Sequence, residues 1–143
     1  SGLVDEGPIP VDPQSIPLAE ADFILAAGNG VADWDAFHGL SAALGAAEGG
    51  SRVVCDAGWL PRSRQVGISG TLVGARCYLA LGISGAPQHL QGIEACETVI
   101  AVNNDPHAPI MKRADLAVVG DVQAVMAELR KLLASQEEEG HAP

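Results

Sequence analysis

The chain has 143 residues, a formal net charge of −10 and 48% apolar residues, yet only 3% aromatic ones. That is one domain's worth of chain, with a core that must be built from Ala, Val, Leu and Ile. The acidity leaves no basic stripe to neutralise phosphates, which argues against nucleic acid and against anionic membrane surfaces. No 18-residue apolar run and no signal peptide are present, so the chain reads as neither membrane-inserted nor secreted. Cys55, Cys77 and Cys96 lack metal-ligand spacing and read as buried, reduced thiols of a cytosol-like compartment.

Residues 1–20 carry Pro8, Pro10, Pro13 and Pro17 without sustained periodicity and read as an extended linker. With no initiator Met, this opening suggests a fragment of something longer. The domain proper is expected over 21–135. Phe23–Ala27 runs apolar into Gly28-Asn29-Gly30, a strand and its turn. Asp33 can cap a helix carrying Trp34, Phe37, Leu40 and Leu44 on one face, with Gly49-Gly50 as its stop. Arg52–Cys55 then reads as the second strand, closing at Asp56-Ala57-Gly58.

Residues 58–70 look irregular, and long loops in compact domains are usually functional. Leu72-Val73 suggests a short edge strand. Strands follow at 77–81, 98–102 and 116–119, with short helices after 86 and around 108–113. The last helix starts at Asp121 and sets Val122, Val125, Met126, Leu129, Leu132 and Leu133 on one face. Glu137-Glu138-Glu139 opens no new element, and 136–143 reads as a flexible acidic tail.

Strands apolar on both faces, alternating with helices, imply an α/β fold: a three-layer, doubly wound parallel sheet of Rossmann-like type. Ligands of such sheets bind outside the carboxyl ends of the strands. Every polar or glycine-rich cluster falls at such an end, at 28–30, 56–70, 82–89, 103–106 and 120–121. One extended ligand lying across the sheet is the economical reading.

The sharpest of these clusters is Gly82-Ile83-Ser84-Gly85-Ala86-Pro87-Gln88-His89. Glycines let the backbone approach a ligand, and the free N–H groups of a first helical turn favour an anion. Pro87 sits where a missing N–H costs little. In outline this is a phosphate cradle.

Together the clusters resemble the flavin-binding domain of the electron transfer flavoprotein alpha subunit, over roughly residues 20–134. The resemblance rests on Asp56-Ala57-Gly58, on Gln65-Val66-Gly67 with Gly70, and on the run from Tyr78 through Ala80 and Gly82 to Leu90. Asn103-x-Asp105-Pro106-x-Ala108-Pro109-Ile110, Ala114-Asp115 and Asp121 complete it. It implies bound FAD, no catalytic or metal site of its own, and contacts from sixteen residues. These are Ser51, Arg52, Gln65, Val66, Gly67, Ser69, Gly70, Gly82, Ile83, Ser84, Gly85, Ala86, Gln88, His89, Asn103 and Asp121.

By resemblance, Ser84 and the N–H groups around Gly85 and Ala86 hold the pyrophosphate. His89 donates to the flavin C2 carbonyl as a cation where negative charge accumulates on reduction, which raises the potential. Arg52 lies against the ring. Gln65, Ser69 and Gly70 line the ring and ribityl chain, with the Ser69 hydroxyl near N5. Ser51 is a phosphate or ribityl contact. Asn103 and Asp121 hold the adenosine part, and Asp121 doubles as a helix cap. His38, His107 and His141 have no partners by spacing and read as surface residues.

Two positions depart from the family pattern. Gly28-Asn29-Gly30 stands where Gly-Arg-Gly is usual, which removes a cation from the diphosphate. Ile68-Ser69 stands for Gln-Thr, so a hydroxyl survives and an amide is lost. Arg62 and Arg64 are candidate compensating cations.

The resemblance further implies an electron carrier paired with a beta subunit, fed by dehydrogenases and discharged by an oxidoreductase. Its compartment would be bacterial cytoplasm or mitochondrial matrix. Two alternatives remain: a nicotinamide-dinucleotide enzyme domain, or a cofactor-free assembly subunit. Asp33 occupies the third-glycine position of the dinucleotide fingerprint, which weakens the first of them.

Overall fold

Among the described residues four apolar stretches and one glycine-rich stretch become strands: β1 (Phe23–Ala27), β2 (Ala47–Gly50), the glycine-rich one, β3 (Cys77–Leu81), β4 (Thr98–Asn103) and β5 (Leu116–Val119). The structure, a computed structural model, describes residues 12–140. All strands pair in parallel in one sheet of order β2-β1-β3-β4-β5. Helices α1 (Trp34–Leu44), α2 (Arg52–Asp56), α3 (Pro87–Gly92), α4 (Pro109–Arg113) and α5 (Val122–Gly140) connect and flank them. This is the doubly wound, Rossmann-like α/β fold that the sequence pattern implies.

Side chains alternate across the sheet, so each strand feeds two cores. Ile24 and Ala26 of β1 and Tyr78 and Ala80 of β3 pack with Ile93, Ile110 and Met111 on the α3 and α4 side. Leu25, Ala27, Leu79 and Leu81 pack with Phe37, Leu40, Val122 and Met126 on the α1 and α5 side. A sheet covered on both faces explains why its inner strands read as unbroken apolar runs.

Four local expectations need correction. The segment Arg52–Cys55 is helix, not strand, and Val53 on it is 56% exposed. The true second strand lies earlier, because α1 ends at Leu44. Gly45 adopts the left-handed cap (φ 67°), and the Gly45 and Ala46 N–H groups return to Ala42 and Ser41 carbonyls. Gly49 and Gly50 therefore stop no helix. They sit in β2, where the Val66, Val54 and Leu60 side chains pack into the space a Cβ would take.

Among the described residues Leu72-Val73 forms no edge strand, and isolated bridges alone join Gly50 to Gln65 and Val66 to Thr71. Leu132 is 60% exposed rather than on the buried face of α5. That face is otherwise as expected, with Val122 and Met126 buried and Val125, Leu129 and Leu133 packed against them. Residues 12–20 carry two 3-10 turns, Pro13–Ser15 and Leu18–Glu20. Leu18 enters the core there and Gln14 hydrogen-bonds β2 at Glu48 N–H (2.8 Å). The remainder of the expected linker, residues 1–11, lies outside the described residues, as do 141–143 of the expected tail; α5 itself continues to Gly140.

The sheet's winding reverses between β1 and β3, and there two turns meet backbone to backbone. The Gly28 N–H donates to the Leu81 carbonyl (2.9 Å) and the Gly30 N–H to the Gly82 carbonyl (3.1 Å). A Cβ on Gly82, whose φ is 68°, would lie 2.6 Å from Gly30 Cα, and one on Gly28 would collide with the Gly82 carbonyl. Gly58, by contrast, has a φ of 85° but, among the described residues, nothing within 4 Å of its missing Cβ.

Replacing Gly58 with Ala should therefore cost only the left-handed strain, about 1 kcal/mol. Gly28→Ala must push two central turns apart, at about 2–3 kcal/mol. Urea unfolding of both variants reads the difference, and equal losses would contradict the packing account.

Candidate functional site

A cavity of about 640 Å³ opens at the carboxyl ends of the strands, on the reversal between β1 and β3. Each strand-end turn contributes to it. Every residue singled out for FAD contact from the sequence lines it, with the exception of Gly70. Gly70 instead closes the turn behind the wall, donating to the Gly67 carbonyl (3.0 Å) and packing on the Gln65 backbone.

The cavity also takes in Gly28, Asn29, Gly30, Val53, Asn104, Val122 and Gln123. The glycine turn and Asn104 belong to strand-end clusters visible in the sequence, whereas Val53 and Gln123 gave no signal. Gln123 accepts from the Ala32 N–H (2.9 Å) and donates to the Gly30 carbonyl (3.3 Å). It thereby ties the first turn of α5 to the turn after β1.

The Gly82–His89 segment is held from below. Ile110 N–H donates to the Ser84 carbonyl (3.0 Å), and a Cβ on Gly85 would lie 2.7 Å from Ile110 N. Among the described residues the Gly85 and Ala86 N–H groups have no acceptor, and both residues line the cavity. Such paired free donors suit an anion.

Asn103 is buried with both ends of its amide in use: Nδ2 donates to the Ile83 carbonyl (2.9 Å) and Oδ1 accepts from Asp105 N–H (2.9 Å). It fixes the turns after β3 and β4 together. Asp121 caps α5 through the Ala124 N–H (2.9 Å).

His89 is 5% exposed, and its Nε2 lies 2.7 Å from the Tyr78 hydroxyl. Among the described residues its Nδ1 is buried without a partner, as is the Ser51 hydroxyl. Burial pushes the imidazole pKa down to about 4, so at neutral pH His89 is uncharged. The expectation of a cation at this position is thus corrected: the site offers a neutral hydrogen-bonding ring.

A chain of contacts orients the other wall. Arg62 reaches Asp56 (2.8 Å) and donates to Gln65 Oε1 (2.6 Å), and Gln65 Nε2 donates to Ser69 Oγ (3.2 Å). Arg52 stands at the rim, largely exposed and 3.6 Å from Asp56. Neither Arg62 nor Arg64 lines the cavity; Arg64 donates to the Gln14 carbonyl instead. Neither therefore replaces the arginine that Asn29 displaces. His38 lies at the surface as read, but it does have a partner, Glu48 at 2.8 Å. Cys55 and Cys96 are buried free thiols and Cys77 is half-buried. Burial raises all three thiol pKa values.

No helix among the described residues is long and apolar enough to cross a membrane. An all-parallel doubly wound sheet with its cavity at the topological reversal defines a Rossmann-like domain that takes its ligand at the carboxyl ends of the strands. Sequence comparison narrows the class. The "Electron transfer flavoprotein FAD-binding domain" family matches residues 17–94, and the chain belongs to this electron transfer flavoprotein alpha family.

The electron transfer flavoprotein subunit alpha of Chromohalobacter salexigens is 57% identical over 97% of this chain and 33% of that protein. Protein FixB of Clostridium saccharobutylicum is 42% identical over 80% of the chain and 35% of its own length. The probable mitochondrial electron transfer flavoprotein subunit alpha of Caenorhabditis elegans is 40% identical over 81% and 36%. The chain thus spans about a third of the length of the curated relatives it matches.

His89 predicts an acid-side loss of stability. Below pH 6.5 the unfolded chain protonates this imidazole, while the folded chain resists until about pH 4. Stability associated with the neutral ring is complete above pH 6.5 and falls as pH drops toward 4, by on the order of 3 kcal/mol. Urea unfolding of wild type and His89→Gln across this window isolates the effect from the carboxylates. Parallel pH curves would show that His89 is not held neutral.

Proposed function

We propose that this chain is the FAD-binding domain of an electron transfer flavoprotein alpha subunit, an electron carrier without substrate chemistry of its own. In this reading it works with a beta subunit, receives electrons from dehydrogenases and passes them to an oxidoreductase. It does so in bacterial cytoplasm or a mitochondrial matrix, with the expected 21–135 unit extended by Leu18, which packs in its core, and by α5 to Gly140. The observation that supports FAD most is the pair of buried, unpartnered polar atoms, Ser51 Oγ and His89 Nδ1, at a cavity floored by free backbone donors. Buried polar groups are rarely left unpaired unless something is to pair with them.

The residues fit a flavin dinucleotide in an ordered way. Gly85 and Ala86 N–H groups and the Ser84 hydroxyl would take the diphosphate. With Asn29 in place of a cation, its charge rests on backbone dipoles. Ser51 would hydrogen-bond the polar chain between phosphate and ring. Asp121 and Asn104 would face the adenosine hydroxyls, while Asn103 serves by fixing two turns. His89 Nδ1 would meet the pyrimidine edge of the ring, with Gln65 and Ser69 beside it and Arg52 over its face. Bound FAD supplies the reversible uptake and release of electrons. Around it the protein supplies donors aimed at developing negative charge.

The test uses the full-length subunit purified with its beta partner. Wild type should carry stoichiometric flavin by its visible absorbance. Gly85→Val, whose side chain must enter the cradle or displace Ile110, should bind FAD at least tenfold more weakly. Wild-type protein that holds no flavin and takes none from solution would overturn the proposal.

A further inference from the structure

Tyr78 lies on β3 with no exposed surface, on the side of the sheet covered by α3. Its hydroxyl touches His89 Nε2 at 2.7 Å, and the two rings are tilted at 59° with centroids 6.0 Å apart. Among the described residues the phenol has no other hydrogen-bond partner, and its proton must go somewhere. Two arrangements are open. In one, Tyr78 donates to a bare Nε2 and His89 carries its hydrogen on Nδ1. In the other, His89 donates from Nε2, and the buried phenol hydrogen is left without an acceptor, which is costly. Burial keeps the phenol protonated, raising its pKa well above 10, and keeps the imidazole neutral.

We infer that Tyr78 is a positioning residue that locks His89 in the Nδ1–H tautomer, making the unpartnered nitrogen a permanent neutral donor at the cavity. The inference concerns a proton on this chain. It rests on the FAD reading only for the identity of the acceptor that Nδ1 meets. A second role follows from the same bond: a ring fixed at one nitrogen cannot flip, so the donor direction is set before any ligand arrives. The donor strengthens as charge builds on its acceptor, without the desolvation cost of an imidazolium in this pocket.

The test is nitrogen NMR on the chain labelled at histidine, with the His89 signals assigned by their loss in His89→Gln. Without FAD, the wild-type spectrum should show Nδ1 protonated and Nε2 bare across neutral pH. In Tyr78→Phe, which keeps the ring but removes the hydroxyl, the tautomer should shift toward Nε2–H. FAD affinity should fall about tenfold, and the flavin potential should move to lower values. Nε2 protonated in wild type would overturn the inference, as would an unchanged tautomer in a folded Tyr78→Phe. Because the wild-type spectrum is taken without cofactor, a chain that never binds FAD defeats the functional proposal and leaves this one standing.

Discussion

The backbone contact between the turn after β1 and the turn after β3 is the constraint on which the molecule depends. These are adjacent strands at the point where the sheet's winding reverses, and only side-chain-free residues let their turns meet. Gly28 and Gly30 hydrogen-bond the end of β3, and Gly82 turns against Gly30 at a φ of 68°. That closeness fixes the floor of the cavity. The segment Ser84–Gln88 can then rise from it, braced by Ile110, with its N–H groups free. Without the contact the same strands would still pair, but the turns would splay and the donors would scatter.

A second organising feature is that the cavity's polar groups are oriented by partners that do not themselves line it. Tyr78 addresses His89, Arg62 addresses Gln65 and through it Ser69, and Asp105 completes Asn103. His89, Gln65, Ser69 and Asn103 are thereby committed to one direction before anything binds, which lowers the ordering cost of recognition. In a chain of charge −10 the donors are neutral amides, serine hydroxyls and an uncharged imidazole. Arg52 is the cation at the rim, and it is partly neutralised by Asp56.

Most of this was legible in the sequence for stated physical reasons. β1, β3 and β4 appear as apolar runs because helices cover both sheet faces there. β5 is an apolar run although Leu116 and Val119 on it are exposed, and α1 and α5 show their caps and stripes plainly. β2 hid itself: Ala47-Glu48-Gly49-Gly50 carries no apolar pattern. Its glycines make room for Val54, Leu60 and Val66, and its buried Glu48 is satisfied by Ser41 and His38. The neighbouring Val53-Val54 run mimicked a strand while lying on a short helix. At the site, the rule that ligands sit at strand carboxyl ends located the cavity, and the family motif located nearly all its walls. Gln123 escaped, since its role is a contact between residues some ninety positions apart. The charge of His89 was misread because burial, which sets it, is not a property of sequence spacing.

The central claim is that one extended flavin dinucleotide lies across the carboxyl ends of these strands, diphosphate at 84–86 and ring beside His89. A crystal structure of the FAD-loaded protein tests it most directly. The account predicts diphosphate oxygens within hydrogen-bond distance of the Gly85 and Ala86 N–H groups and a ring atom accepting from His89 Nδ1. A ring found instead at the Asp121 end, or FAD bound away from this cavity, would contradict it.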